Sequence, residues 1–541
     1  MNTAGVCALL ERHGSGVAAW LLVVLVISDR LRLMVQFAWQ YTDKDQVLMW
    51  TAAHELLHGR VHEPRFYGQA YNSMLEGWLA APMVGVGLPH PVAAPVITSA
   101  LALLPFLALA ACAWRRGLCT SALGVLSLPL LLPLEHGLVT SMPRGFVGGI
   151  AVAGVAACLL LGTWSGRRLL AIGFLMGLSI SINPNAGIVV AAIGLYVLVE
   201  HPRRRDVWLW LNAGLLGAAA LHGLSVWFYR ANPANIVYGP NLPSALDFKI
   251  GRFGQGLVHA DRFLRDVTPA GADPLVLTAL FGLVLLGLAR RRARSAAIAL
   301  GCSVAATVLT LGLERVHVGS ASVFWPWSRS YLAVPVLLGI GLIWLDQATA
   351  RAARPARPSP RLIAVTCLVL VAVAGGRAMK LDESIEGNLR VGNGGGLEAW
   401  PVKTVRNRCR ALRTVADLYA AELVVFQVYD EPLAYACEPL LDGRLRTLLV
   451  RGFVAERRTW RIVEELGQGA RTALLYNVSA PQVERARGLG VEIGPAIEIG
   501  WTRVYTLRLP ARIAAFDTLA ITELYGAADL ALRARALAGR K

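Results

Sequence analysis

"YTDKDQVLMWTAAHELLHGRVHEPRFYGQAYNSMLEGWLAAP", residues 41–82, is a polar and aromatic stretch between two long apolar runs. The first run starts at Val17 and the second near residue 91. Each is long enough to cross a hydrocarbon core of about 30 Å. A polar insert between two such runs reads as a loop left on one face of a membrane, and the reading of the chain follows from it.

The rest of the sequence agrees. Of its 541 residues, 55% are hydrophobic and only 16% are charged, where a soluble domain carries about 25% charged residues. Apolar runs recur as far as Ala378. In lipid only helices and closed barrels satisfy their own backbone, and a barrel would show short alternating segments instead. The expectation is a polytopic α-helical membrane protein.

The net charge of +18 would suggest nucleic acid in a soluble chain. Here the basic residues fall in short clusters between apolar runs, which is how cytoplasmic loops are marked. The clusters are Arg115–Arg116, Arg167–Arg168, Arg203–Arg205, Arg290–Arg294 and Arg351–Arg361. Eleven spans put them all on one side: 15–36, 91–114, 120–139, 145–164, 168–182, 186–200, 206–229, 274–290, 295–313, 330–346 and 361–378. The N-terminus is then cytoplasmic, with the first span an uncleaved anchor. Loops 37–90, 140–144, 230–273 and 314–329 lie outside. Met74–Pro89 is apolar but short, and reads as a helix in the outer interface.

The transmembrane domain is expected to cover 1–379 and a small extracytoplasmic α/β domain 380–541. Within the latter, "LVVFQVYD" (423–430), "LRTLLV" (445–450) and "RTALLYN" (471–477) read as buried strands. "ERRTWRIVEELG" (456–467) and "SAPQVERARGLG" (479–490) read as helices, and "GNGGG" (392–396) as a linker. The eight cysteines lack zinc-like spacing. Five fall in or beside apolar runs, while Cys409 and Cys437 can pair if the C-terminal part meets an oxidising compartment.

Within 41–82, "HELLH" (His54–His58) matches the H-E-x-x-H zinc-peptidase pattern. Two imidazoles four apart share a helix face, with Glu55 as the base. The flanks disagree. Gly59 and His62 come too early for the extended motif, and no distant glutamate helix or "LDG" helix stands out. The plain alternative is a polar outer helix with hydrogen-bonded histidines.

A first outer loop that starts with "TDKDQ", runs through "HEPRFYGQAYNSMLEGWLAAP" and leads by an interfacial helix into the second span resembles the GT-C superfamily of membrane glycosyltransferases. The layout of the protein mannosyltransferases and of the aminoarabinose transferase of lipid A is similar. The likeness covers the layout of about residues 1–378, and its sharp motif is about 45 residues long. It implies transfer of a sugar from a polyprenyl-phosphate donor in the bilayer to an extracytoplasmic acceptor hydroxyl on a glycan, lipid or protein. The resemblance leaves open whether a divalent cation, Mg or Mn, takes part, since members differ, and it calls for no other cofactor. A bacterial inner membrane fits the composition.

That chemistry needs an acid to take the acceptor proton and cations to neutralise the leaving phosphate. The resemblance puts the catalytic acid near the start of the loop: Asp45 first, Asp43 second. Glu63, Arg65, Tyr67, Gln69, Tyr71, Asn72 and Glu76 suit sugar hydroxyls and ring faces. For the lipid phosphate the candidates are Arg329 and Arg144 at loop-to-span junctions, and Lys249, Arg252 and His259 in the long outer loop. Two other functions remain at this stage: a zinc metallopeptidase using His54, Glu55 and His58, and a lipid or glycan transporter or flippase. The latter needs matching broken helices in two repeats, and no clear pair is present.

Overall fold

The computed structural model describes residues 3–67, 69, 71–232, 247–271, 273–352, 360–394, 399–426, 431–441, 443, 445–449, 470–479, 481, 483, 484, 487, 492–499 and 502–508. The protein is mostly helical and divides into two compact units. One comprises Met1–Ala38, Pro95–His222 and Pro240–Glu398; the other comprises Trp39–Ala94, Gly223–Gly239 and Ala399–Lys541.

Among the described residues, five helical stretches are long and apolar enough to cross a membrane: His90–Arg115, Arg205–Ala231, Arg294–Gly312, Trp327–Arg351 and Leu362–Val391. Shorter apolar helices occupy Cys119–Leu131, Gly148–Leu160, Pro184–Glu200 and Pro274–Arg290. Further helices run over Thr3–Leu33 and Gly166–Ile182. The 26 residues of His90–Arg115 span about 39 Å at 1.5 Å per residue, enough to cross with some tilt.

One predicted span is interrupted. The stretch 120–139 forms helix Cys119–Leu131, an extended Leu132, and a short helix Leu134–Val139 after Pro133. Proline lacks the N–H that a continuing helix needs and pushes the residue before it into extended geometry. The predicted interfacial segment forms Leu75–Gly85, 11 residues and about 16 Å long, too short to cross.

Burial sorts these helices. In Trp327–Arg351, 72% of the apolar window is buried, against 17% in both Arg205–Ala231 and Leu362–Val391. The two exposed helices display Leu209, Trp210, Leu216, Trp227, Leu368 and Val369. Apolar surface on this scale needs an apolar cover. Helices Gly166–Ile182 and Arg205–Ala231 touch backbone to backbone. A Cβ on Gly173 would lie 2.0 Å from the Leu211 carbonyl oxygen, and one on Gly214 would lie 2.1 Å from that of Leu170. Such close approach between apolar helices requires small residues.

The second unit contains a five-stranded sheet. Its strands are β3 (Leu423–Phe426), β4 (Arg446–Leu449), β5 (Thr472–Tyr476), β6 (Glu492–Ile499) and β7 (Thr502–Arg508), in the order β4-β3-β5-β7-β6. β4, β3 and β5 are parallel; β7 and β6 are antiparallel. All four residues of β3 are buried, as a central strand covered on both faces should be. Helix Val402–Leu418 buries Val402, Val405, Cys409, Leu412 and Ala416, the spacing of one helical face. Cys409 and Cys437 form a disulfide. The helix read over 456–467 lies outside the described residues, as does most of the one over 479–490.

A two-residue ladder connects sequence-distant parts of this unit. β1 (Tyr41–Thr42) pairs antiparallel with β2 (Trp400–Pro401), just ahead of helices Lys44–Leu57 and Val402–Leu418. The Thr51 hydroxyl donates to the Tyr435 carbonyl at 3.1 Å. The loop after the first span and the C-terminal sequence thus fold together. Helix Pro360–Gly394 continues past residue 379 and takes in part of the predicted linker.

Candidate functional site

Asp43 and Asp45 sit at the start of helix Lys44–Leu57, in different roles. Asp43 is fully buried and caps the helix: its Oδ1 accepts from the N–H groups of Asp45 and Gln46, each at 2.9 Å. Asp45 is half-buried in the first turn. The cap explains why an acid stands at 43, so the pair separates by substitution. Asp43→Asn keeps a capping oxygen and is expected to leave stability within a few tenths of a kcal/mol, whereas Asp43→Ala loses roughly 1 kcal/mol. Thermal unfolding of the two variants checks this.

The H-E-x-x-H helix is put to another use. The His54 and His58 rings are 4.4 Å apart between centroids, and His90 lies 6.0 Å from His54. His58 Nδ1 lies 2.8 Å from the His54 carbonyl oxygen. Glu55 accepts a hydrogen bond from the Tyr67 hydroxyl and has His62 Nε2 at 3.6 Å. The carboxylate that would activate a zinc-bound water is therefore engaged with the following loop. Among the described residues, no three His, Cys, Asp or Glu are grouped so as to hold a metal ion.

The predicted sugar-binding cluster is part of this loop. Glu63 and Glu76 are fully buried, and Asn72 nearly so. Tyr229 donates to Glu63 at 3.1 Å, and Arg65 Nε donates to the Ser225 hydroxyl at 2.8 Å. Burial holds the Arg65 guanidinium below its ordinary range, against the pull of Tyr229. Asn72 Nδ2 donates to Gln69 Oε1 at 3.2 Å. Tyr71 is half-buried. Burying acids costs several kcal/mol unless they are hydrogen-bonded or paired, and Glu55 and Glu63 each take a tyrosine hydroxyl.

The predicted phosphate residues divide into three groups in the first unit. Arg144 and Arg329 are both buried and near each other. Arg144 Nη1 donates to the Phe324 carbonyl and, at 3.5 Å, to that of Val323. Burial, then the neighbouring Arg329 charge, pull the Arg144 pKa down to about 9. Arg329 Nη1 donates to the Pro326 carbonyl at 2.8 Å, and its guanidinium stacks 4.2 Å from the Trp325 ring. Two buried cations side by side repel each other, and an anion brought to them lowers that cost.

Arg252 and His259 belong to a second group. They line a cavity of about 320 Å³ with Gln255, Arg262, Phe263, His317 and Trp327. Its walls offer two guanidiniums, two imidazoles, an amide and two aromatic faces, a composition that suits an anionic, ring-bearing ligand. The Arg262 guanidinium lies 5.7 Å from the Trp327 ring, and His317 Nε2 lies 2.7 Å from the Leu311 carbonyl oxygen. Sequence reading missed Gln255, Arg262, Phe263, His317 and Trp327. Lys249 does not line this cavity. It is exposed and pairs with Glu314 at 2.5 Å and Asp247 at 3.4 Å.

Trp327 and Arg329 share a backbone corner. A Cβ on Gly319 would come within 2.7 Å of Trp327 Cδ1 and 2.9 Å of Arg329 Nη1, so glycine lets the two side chains close over it. The helix break at Asn183–Asn185 supports the same corner. Asn183 Nδ2 donates to the Gly145 carbonyl and Asn185 Nδ2 to the Arg329 carbonyl, each at 2.8 Å.

No family model matches the chain, and no curated protein matches it. Among solved structures, the chain is similar to ArnT from Cupriavidus metallidurans in the apo state. The TM-score is 0.54 and the identity 15%, over 90% of this chain and 98% of that one. It is also similar to ArnT from Cupriavidus metallidurans bound to undecaprenyl phosphate, with a TM-score of 0.51 and 14% identity over 91% and 99% of the two chains. The likeness is one of fold: the chain has an ArnT-like fold and, among the described residues, five helices long and apolar enough to cross a membrane.

Proposed function

We propose that the chain is a GT-C-type glycosyltransferase. It moves a sugar from a polyprenyl-phosphate donor to the hydroxyl of an extracytoplasmic glycan, lipid or protein acceptor. The cavity lined by Arg252, Gln255, His259, Arg262, Phe263, His317 and Trp327 carries the reading, because it joins phosphate-type donors to ring faces. The fold is shared with an ArnT structure bound to undecaprenyl phosphate, which supports a lipid of that class as donor.

The reaction is a single displacement. Asp45 takes the acceptor proton, and the acceptor oxygen bonds to the anomeric carbon. The bond from that carbon to the phosphate oxygen breaks, and the polyprenyl phosphate leaves as an anion. Arginine neutralises the charge that develops on it, with any Mg or Mn ion sharing that role. One displacement inverts the anomeric centre. Glu63, Arg65, Tyr67, Gln69, Tyr71, Asn72 and Glu76 are assigned to sugar hydroxyls and ring faces.

In this reading the chain crosses a bacterial inner membrane eleven times, with 380–541 on the outside as an α/β domain. One observation supports that side: a disulfide joins Cys409 and Cys437, as expected in an oxidising compartment.

Binding of undecaprenyl phosphate to the purified full-length protein in nanodiscs tests the proposal. Arg252→Ala and Arg262→Ala are each expected to weaken binding by roughly tenfold to a hundredfold, since each loses a charge-assisted hydrogen bond of about 1.5–3 kcal/mol. A wild type that binds this lipid no better than an uncharged polyprenol would sink the assignment.

A further inference from the structure

The segment that carries Trp327 and Arg329 is tied down by several other elements. Arg144 reaches the Phe324 carbonyl. Asn388, in helix Pro360–Gly394, accepts from the Ser322 hydroxyl at its carbonyl, at 3.0 Å, and from the Val323 N–H at its side chain, at 2.9 Å. Asn185 holds the Arg329 carbonyl. Thr310 and Tyr331 share a hydroxyl contact at 3.1 Å. The last tether is a carboxylate: Asp266 Oδ2 accepts from the Ser328 hydroxyl at 2.5 Å. Ser328 lies in sequence between Trp327, a wall of the cavity, and Arg329, a candidate for the anion.

A carboxylate is an expensive way to hold a serine. An asparagine has the same shape and a carbonyl oxygen that accepts a weaker, uncharged bond, without a charge to desolvate. We propose that Asp266 is a positioning residue. Its ionised carboxylate pulls Ser328 and so sets the Trp327–Tyr331 turn, in which Trp327 forms one cavity wall and the Arg329 backbone is fixed. The inference rests on the assignment of the cavity to an anionic donor.

The surroundings of Asp266 make this tether pH-sensitive. The charged groups facing it are Glu135, from helix Leu134–Val139, and its neighbour Arg265. Glu135 is itself bonded by the Ser384 hydroxyl at 2.9 Å. Burial raises the Asp266 pKa to about 6; the Ser328 bond and Arg265 pull it down, and Glu135 adds to the rise. An acid raised above its unfolded value of about 3.9 favours the fold when protonated. That stability is complete below the unfolded value and is lost as pH rises through about 6. At pH 7.5 the charged Asp266 therefore works against stability, and a residue kept only for structure would do the opposite.

The experiment compares full-length wild type, Asp266→Asn and Ser328→Ala in nanodiscs at pH 5 and 7.5. It reads thermal unfolding, hydrogen exchange over 320–331 corrected for intrinsic rates, and undecaprenyl phosphate binding. Asp266→Asn is expected to unfold at a higher temperature than wild type at pH 7.5, with the difference shrinking at pH 5. Its 320–331 segment should exchange several-fold faster at pH 7.5, as should that of Ser328→Ala, and both should bind the lipid several-fold more weakly. Wild type should show the same loosening on acidification, and Asp266→Asn should not. A lower unfolding temperature for Asp266→Asn at pH 7.5, or unchanged exchange over 320–331, overturns the proposal. If wild type binds no undecaprenyl phosphate, the donor assignment fails, and the exchange and unfolding results still decide the positioning role.

Discussion

Asp45→Asn is expected to lower sugar transfer by about 10²–10⁴ while the protein stays folded. A positioned general base contributes a factor of that size, and asparagine cannot take the proton. The substitution is nearly isosteric, and Asp45 is half-buried in the first turn of helix Lys44–Leu57. The structural cost is then limited to the favourable placing of an acid at a helix N-terminus, about 0.3–1 kcal/mol. Asp43 is the internal control. Its Oδ1 is committed to the Asp45 and Gln46 N–H groups, and Asp43→Asn keeps that cap. Transfer of a radiolabelled sugar from its polyprenyl phosphate, measured beside thermal unfolding, separates the two. Wild-type turnover in Asp45→Asn would remove it as the base, and a large loss in Asp43→Asn with unchanged unfolding would move the role there.

The fold could be read from the sequence wherever a single physical signal dominated. Helix His90–Arg115 is an apolar run too long to be anything else. β3, β4 and β5 begin as short β-branched and leucine-rich runs bounded by polar residues, which marks buried strands. The break at Leu132–Pro133 was hidden because apolar residues continue on both sides of it. β6 was hidden for the opposite reason: Glu492–Ile499 contains Gly494 and Pro495, alternates weakly and is largely exposed. The pairing of Tyr41–Thr42 with Trp400–Pro401 joins segments about 360 residues apart in two residues of ladder, and no local pattern encodes it.

The candidate site was legible by chemistry more than by geometry. Arg252 and His259 were identified because cations outside the membrane need an account, and both line the cavity. Lys249 met the same criterion, but Glu314 and Asp247 account for its charge. Arg262, His317 and Trp327 come from three separate segments, so only the folded chain brings them together. The H-E-x-x-H pattern lies on a helix that sends Glu55 to Tyr67 and His62. Asp266 gave no signal at all: its raised pKa comes from burial and from Glu135, about 130 residues earlier in the chain.

Removing the Cys409–Cys437 disulfide is expected to cost the unit that contains it about 3–4 kcal/mol. The bond closes a loop with a sequence separation of 28, and the chain-entropy treatment of such a loop gives a figure in that range. Both sulfurs are in fully buried residues, one on helix Val402–Leu418 and one on Glu431–Leu440, so the link fastens two helices that flank β3 in sequence. The second helix also takes the Thr51 hydroxyl through Tyr435, which carries the effect to the helix that begins at Lys44. The double variant Cys409→Ala/Cys437→Ala avoids leaving a buried hydroxyl in place of each sulfur. Its unfolding transition should fall well below that of the wild type, and reducing agent should lower the wild type toward it while leaving the variant unmoved. Thiol alkylation in intact cells tests location at the same time. Cysteines that resist labelling until reduced fit an oxidising side of the membrane; cysteines that label at once would place this unit in the cytoplasm and reverse the threading of every span.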